Sequence, residues 1–133
     1  MGCDIHITVE KEIDGEWVMI HVPTWQGDAA CERNYRRFAA LAEVRGDGPP
    51  AKGLPRDVSK GTKCKFDAWG EDAHTPSYNP LSEFLEICVE STYDDNDFSG
   101  WDVSDLCEHY LGFRQERMDQ NLDDFRVVYW FDK

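Results

Sequence analysis

Between Lys65 and Arg114 the chain has forty-eight residues without a lysine or an arginine, and the same stretch carries twelve carboxylates, from Asp67 to Glu108. Residues 1 to 66 balance ten acidic against ten basic side chains, so the whole net charge of −13 belongs to residues 67 to 133. A field of that sign repels nucleic acid and draws cations or basic protein surfaces. Direct nucleic-acid binding is therefore not expected. Long apolar runs are also missing. None approaches eighteen residues, which speaks against a membrane-spanning helix, and the polar Asp4 and His6 speak against a signal-peptide start, so a cytoplasmic location is expected. The five cysteines (Cys3, Cys31, Cys64, Cys88, Cys107) are odd in number and include no C-x-x-C pair. That argues against a disulfide framework or a structural zinc site, and for reduced, mostly buried thiols. No Walker loop, G-x-G-x-x-G or G-x-S-x-G element is present, nor any internal repeat or low-complexity segment.

What is there suffices for one core. At 133 residues, 41% hydrophobic and 13% aromatic, the chain suits a single domain over residues 1–133. Residues 3 to 10 alternate apolar with polar, Asp14-Gly15 is a turn signal, and Glu16 to Val22 reads as the returning strand of a hairpin. Asn34 can cap a helix with Tyr35, Phe38, Leu41 and Ala42 on one face, stopped by Gly46 and Pro49-Pro50. Residues 46 to 80, punctuated by glycine and proline, read mostly as a long loop that could equally hide a short strand. Asn79 and Pro80 suit the N-cap and first turn of a helix carrying Leu81, Phe84, Leu85 and Cys88. A further helix starts near Asp102, with Val103, Leu106, Cys107 and Tyr110 as its stripe and Gly112 as its stop. Phe125 to Phe131 reads as a strand that pairs with the N-terminal hairpin. The expected class is α+β: a small antiparallel sheet packed with two to three helices.

Several groups of residues suggest chemistry. Asp4 and His6 are two apart on a strand and leave the same face, and His74, near Asp72, could complete a two-histidine, one-carboxylate set for zinc, manganese or ferrous iron. The competing reading is a hydrogen-bonded structural pair. Asp95-Asn96-Asp97-Phe98-Ser99-Gly100 fits the first half of a calcium loop, but position twelve is Leu106 where a glutamate is needed. The preferred reading is an acidic turn in which Asp102 caps the next helix and Asp105 sits in its first turn. Cys3 and Cys107 lie in acidic neighbourhoods that do not activate a thiolate. His109 reads as a surface helix partner of Asp105, and His21 has no obvious partner. Arg33, Arg36, Arg37 and Arg45, with Lys52, Arg56, Lys60, Lys63 and Lys65 behind them, either hold a phosphorylated small ligand or face the acidic half, within one chain or head-to-tail in a homo-oligomer.

The opening Met-Gly-Cys-Asp-Ile-His resembles that of a group of small, largely uncharacterised proteins of tailed phages and prophages. Arg33-Asn34-Tyr35 with Phe38-Ala39, the run Leu41 to Arg45, Gly53-Leu54-Pro55 with Asp57, Arg126-Val127-Val128 and Trp130-Phe131-Asp132 resemble that group as well. The resemblance covers most of the chain and implies a phage origin, hence the cytoplasm of a host cell, with no activity or catalytic residue to transfer. Three functions follow as expectations. The first is an acidic accessory protein that binds a basic surface of a host protein, as an inhibitor of a defence or nucleic-acid enzyme, through Asp94, Asp95, Asp97, Phe98, Trp101, Asp102 and Asp105, with Tyr93 as a further anchor. The second is a metal-dependent enzyme or metal-binding protein using Asp4, His6 and His74, and the third is a protein sequestering a phosphorylated ligand.

Overall fold

The computed structural model describes residues 2–25, 27–92, 98–113 and 122–132. Four strands, β1 (Ile5–Ile13), β2 (Glu16–His21), β3 (His74–Pro80) and β4 (Phe125–Phe131), form one antiparallel sheet in the order β2-β1-β4-β3. Four helices accompany it: α1 (Tyr35–Ala42), α2 (Lys60–Trp69), α3 (Leu81–Glu90) and α4 (Val103–Leu111). The α+β class, the N-terminal hairpin and the C-terminal strand against it are as the sequence pattern predicts. Among the described residues no helix is long and apolar enough to cross a membrane.

The β1–β4 register sorts the side chains into two faces. Ile5, Ile7 and Val9 lie opposite Phe131, Tyr129 and Val127, and join Phe38, Phe84, Cys107 and Tyr110 of α1, α3 and α4 in the main core. His6, Thr8 and Glu10 lie opposite Trp130, Val128 and Arg126 on the other face. That face is buried too, because α2 covers it. Thr62 Oγ1 meets Thr8 Oγ1 at 2.8 Å, and Phe66 packs edge-on against Trp130 at 5.5 Å. The sheet is therefore sandwiched between helices.

The expectation of a long loop from 46 to 80 is accordingly corrected in one part: the stretch holds α2, while β3 is the short strand that the sequence pattern left open. The sequence hides α2 because only Thr62 of its ten residues is buried, so no apolar stripe betrays it. Its ends do carry signals. The Ser59 hydroxyl accepts from the Thr62 N–H at 3.1 Å, and Gly70 follows the last residue. Gly61 sets how closely α2 approaches the sheet, since a Cβ there would lie 2.9 Å from Met19 Cε.

Two smaller corrections concern helix ends. The α1 helix stops at Ala42, ahead of Gly46, because Glu43 turns left-handed (φ 61°) and its N–H bonds the Ala39 and Phe38 carbonyls. Asn79 does not cap α3. It is paired in the β3–β4 ladder, accepts from the Tyr129 hydroxyl and donates to Glu83 at 2.9 Å, so the helix begins one residue later at Leu81. The α4 helix starts as expected, with Asp102 and Asp105 in a reciprocal capping box, and Gly112 ends it.

Two buried cations tie these layers together. Arg126 donates to Glu10 at 2.6 Å and to Asp57 at 2.8 Å, and Glu10, fully buried, also accepts from the Ser59 N–H at 3.0 Å. Burial by itself would raise the Glu10 pKa, but the hydrogen bonds from Ser59, Thr62 and Arg126 together hold it below its ordinary 4.5. Arg37, grouped by sequence with the surface arginines, is 2% exposed. It donates to Ser91 Oγ, Ala29 O and Cys88 O at 2.9, 3.0 and 3.2 Å and lies 5.3 Å from the Tyr110 ring. It is thus withdrawn from any phosphate-binding surface.

Candidate functional site

Asp4, His6 and His74 come to one end of the sheet, where a residue not singled out from the sequence, Asp132, organises them. His6 Nε2 lies 2.9 Å from Asp132 Oδ2, the Asp4 N–H donates to Oδ1 at 3.0 Å, and His74 Nε2 donates to the Asp132 carbonyl at 2.9 Å. A carbonyl can only accept, so His74 carries its proton on Nε2, and its Nδ1 accepts from the Thr75 hydroxyl at 2.8 Å. Both nitrogens are then committed. The Asp4 carboxylate is taken by a two-pronged contact from Arg33, at 3.0 and 3.1 Å. Gly2 leaves room for that guanidinium, since a Cβ there would lie 1.9 Å from its Nη1. Among the described residues, no group of three or more histidines, cysteines or carboxylates is arranged to hold a metal ion.

The backbone here is strained. Thr75, β-branched, sits at φ 53° where the β3 register shifts between His74 and Ser77, a conformation costing about 1–3 kcal/mol. The strained turn places the His74 ring on Asp132. Cys3, buried nearby, has its thiol pKa pushed up by burial and then by Asp132, so it is protonated at neutral pH and is not a nucleophile.

The other side of His6 opens on a cavity of about 230 Å³ whose wall includes Trp25, Trp69 and Trp130. The imidazole lies 4.0 Å from the Trp69 ring, 5.4 Å from Trp25 and 6.1 Å from Trp130. It is within 30° of parallel to the last two, at 29° and 27°. Cys31 and Lys65 also line it, the Cys31 thiol pushed up to about 12 by burial. Since the Asp132 carboxylate accepts from His6 Nε2, the proton sits there and Nδ1 makes no bond to a described residue. Among the described residues, Trp130 Nε1 is the buried side-chain nitrogen or oxygen that has no hydrogen-bond partner. Sequence reasoning missed Trp25, Trp69, Trp130 and Lys65 as a group. Their one joint signal is tryptophan on unrelated segments, which acquires meaning only once α2 is folded over β4.

The acidic face forms elsewhere. Trp101 is 41% exposed and borders a shallow groove of about 480 Å³ with Ser99, Gly100, Asp105, Glu108 and His109. Phe98 and His109 both meet the Trp101 ring edge-on, at 5.1 and 5.4 Å. Asp102 and Asp105 spend part of their hydrogen-bonding capacity on the α4 cap, at 2.9 and 3.1 Å. Tyr93, Asp94, Asp95 and Asp97, and with them the calcium-loop start, lie outside the described residues. The basic residues do not gather into one site. Arg33 pairs with Asp4, Lys63 with Asp67 at 2.6 Å, Arg45 lies over Tyr35 and Lys52 over Tyr78. His21, without a partner by sequence, lies with Nε2 2.7 Å from the Leu111 carbonyl.

Comparison with protein-family models, with curated proteins and with solved structures returns no match.

Proposed function

We propose that this protein is a binding protein whose acidic half docks on a basic protein surface, covering ground that a nucleic acid would otherwise occupy. The observation that carries the reading is Trp101, a half-exposed indole in a groove shared with Asp105 and Glu108, inside the stretch that lacks lysine and arginine. An indole face beside carboxylates suits an arginine or lysine, which can stack on the ring and pair with the acids at once. Exposed Glu83, Glu86 and Glu90 on α3 extend the negative field, and α3 packs on α4. The resemblance to phage and prophage proteins supports a host protein as partner and inhibition of a defence or nucleic-acid enzyme as the outcome.

Association is expected to be fast and salt-sensitive, since exposed charges steer an opposite surface until ions screen them over about 10 Å at 0.1 M salt. The test is a pull-down from host lysate at low and high salt. It compares the native chain with Trp101→Ala and with a combined Asp94→Asn, Asp95→Asn, Asp97→Asn variant. A specific partner should be lost at high salt and from both variants, with Trp101→Ala weakening the purified pair by about 2 kcal/mol, roughly thirtyfold in Kd. A partner retained equally by the variants and at high salt would sink the proposal.

A further inference from the structure

We propose that the cavity beside His6 is a binding site for a small planar heteroaromatic ligand of the nucleobase class, held between indole rings with any anionic substituent at Lys65. This is independent of the acidic groove, which is built on α4. Four observations converge on it.

The first is shape. The His6 ring lies within 30° of parallel to Trp25 and to Trp130, and Trp69 closes on it at 4.0 Å, tilted by 37°, so the wall is built largely of ring faces. At about 230 Å³ the space falls below the ~300–1,000 Å³ of sites for drug-sized molecules, and it suits one ring system. The second is exposure. Trp25 and Trp69 are 56% and 38% exposed, although both belong to a cavity wall that a ligand would cover. Indoles left open to water at a cavity are surfaces on which a flat ring stacks.

The third is a hydrogen-bonding group. His6 is oriented by Asp132 through Nε2, leaving Nδ1 for a ligand. A ring with a hydrogen-bond donor on its edge, as nucleobases have, matches that imidazole nitrogen. The fourth is charge. Lys65 lines the cavity, and among its described lining residues there is no carboxylate. A cationic ligand of the kind aromatic cages recognise would meet Lys65 with nothing to balance it, whereas a monophosphate would be paired. Trp130 takes this position because it pairs with His6 across the β1–β4 ladder. Lys65, Ala68 and Trp69 bring the other wall from α2.

The test is titration of the intact chain with nucleosides and nucleoside monophosphates, followed by calorimetry and tryptophan fluorescence. Tetramethylammonium and a short single-stranded oligonucleotide serve as the other arms. Trp25→Ala and Trp69→Ala should weaken the bound nucleotide by roughly ten- to a hundredfold. Trp101→Ala, which does not line the cavity, should leave it unchanged. Lys65→Gln should weaken monophosphates and leave the parent nucleosides as they were. Circular dichroism checks that each variant is folded; Trp25, the more exposed of the two, gives the safer variant. Four results would overturn the proposal: no nucleoside or nucleotide bound up to roughly millimolar concentration, equal affinity in folded Trp25→Ala, tetramethylammonium bound in their place, or binding of the oligonucleotide alone.

Discussion

Replacing Arg126 by methionine is expected to destabilise the protein by about 3–5 kcal/mol, measured by urea unfolding. The change leaves Glu10, fully buried, with the Ser59 N–H but no counter-charge. It also releases Asp57 and with it the chain leading into α2. Most of the loss comes from stranding Glu10; the Asp57 contact, 65% exposed on the carboxylate side, adds at most about 1 kcal/mol. Because domains of this kind have about 5–15 kcal/mol in total, the variant should sit near its unfolding threshold. A double variant, Glu10→Leu with Arg126→Met, should recover much of the stability, since an apolar pair of similar volume often replaces a buried ion pair without loss.

The same pair predicts a pH signature with a definite sign. Glu10 and Asp57 are held below their ordinary 4.5 and 3.8 in the folded protein. Each therefore adds stability that is complete above its ordinary value and is lost as pH falls below it. In Arg126→Met, Glu10 loses one of the hydrogen bonds that oppose its burial, so its pKa should rise relative to the native protein, and the variant loses less stability on acidification. The gap between native protein and variant should therefore narrow as pH falls through about 4.5. A gap that stays constant or widens would mean that Glu10 is not the group stranded.

Arg37→Leu is the second large effect, at about 3 kcal/mol or more. Ser91 Oγ loses its guanidinium donor and Ala29 O keeps only the Glu32 N–H at 3.2 Å, and a hydrogen bond from a charged donor is worth about 1.5–3 kcal/mol. Cys88 O is less affected because Ser91 and Thr92 hydroxyls also donate to it. The guanidinium further sits at the C-terminal end of α3, where the helix dipole favours a cation. Arg37→Lys keeps the charge but cannot reach three acceptors with one fixed fork, so it should fall between the native protein and Arg37→Leu. The melting temperature should drop by roughly 10 °C for the leucine variant. A drop of a degree or two would show the guanidinium to be replaceable by simple packing.

How much of this was legible in the sequence differs from one element to the next. The hairpin, α1, α3, α4 and β4 announce themselves because each buries one stripe or one alternating face, and burial writes a period into the residues. The α2 helix could not be found that way, since its contacts with the sheet run through Thr62, the bare Gly61 and its aromatic end. Without α2, nothing in the sequence shows that the His6 face is covered. The candidate site shows the same division. Asp4, His6 and His74 stand out as chemistry-bearing residues, but the group that joins them, Asp132, lies 126 residues from His6 in the chain.

By itself, then, the sequence determined the α+β class, the acidic surface of the second half and the reduced state expected of scattered cysteines, because composition and local periodicity are sufficient for each. Only the tertiary structure decided that Arg37 is an internal strut, that Glu10 and Arg126 form a buried pair, and that three tryptophans from distant segments enclose His6. Those outcomes depend on which residues face each other across β1 and β4 and on what α2 covers. Pairings of that kind are set by the closure of the whole chain, and no local pattern carries them.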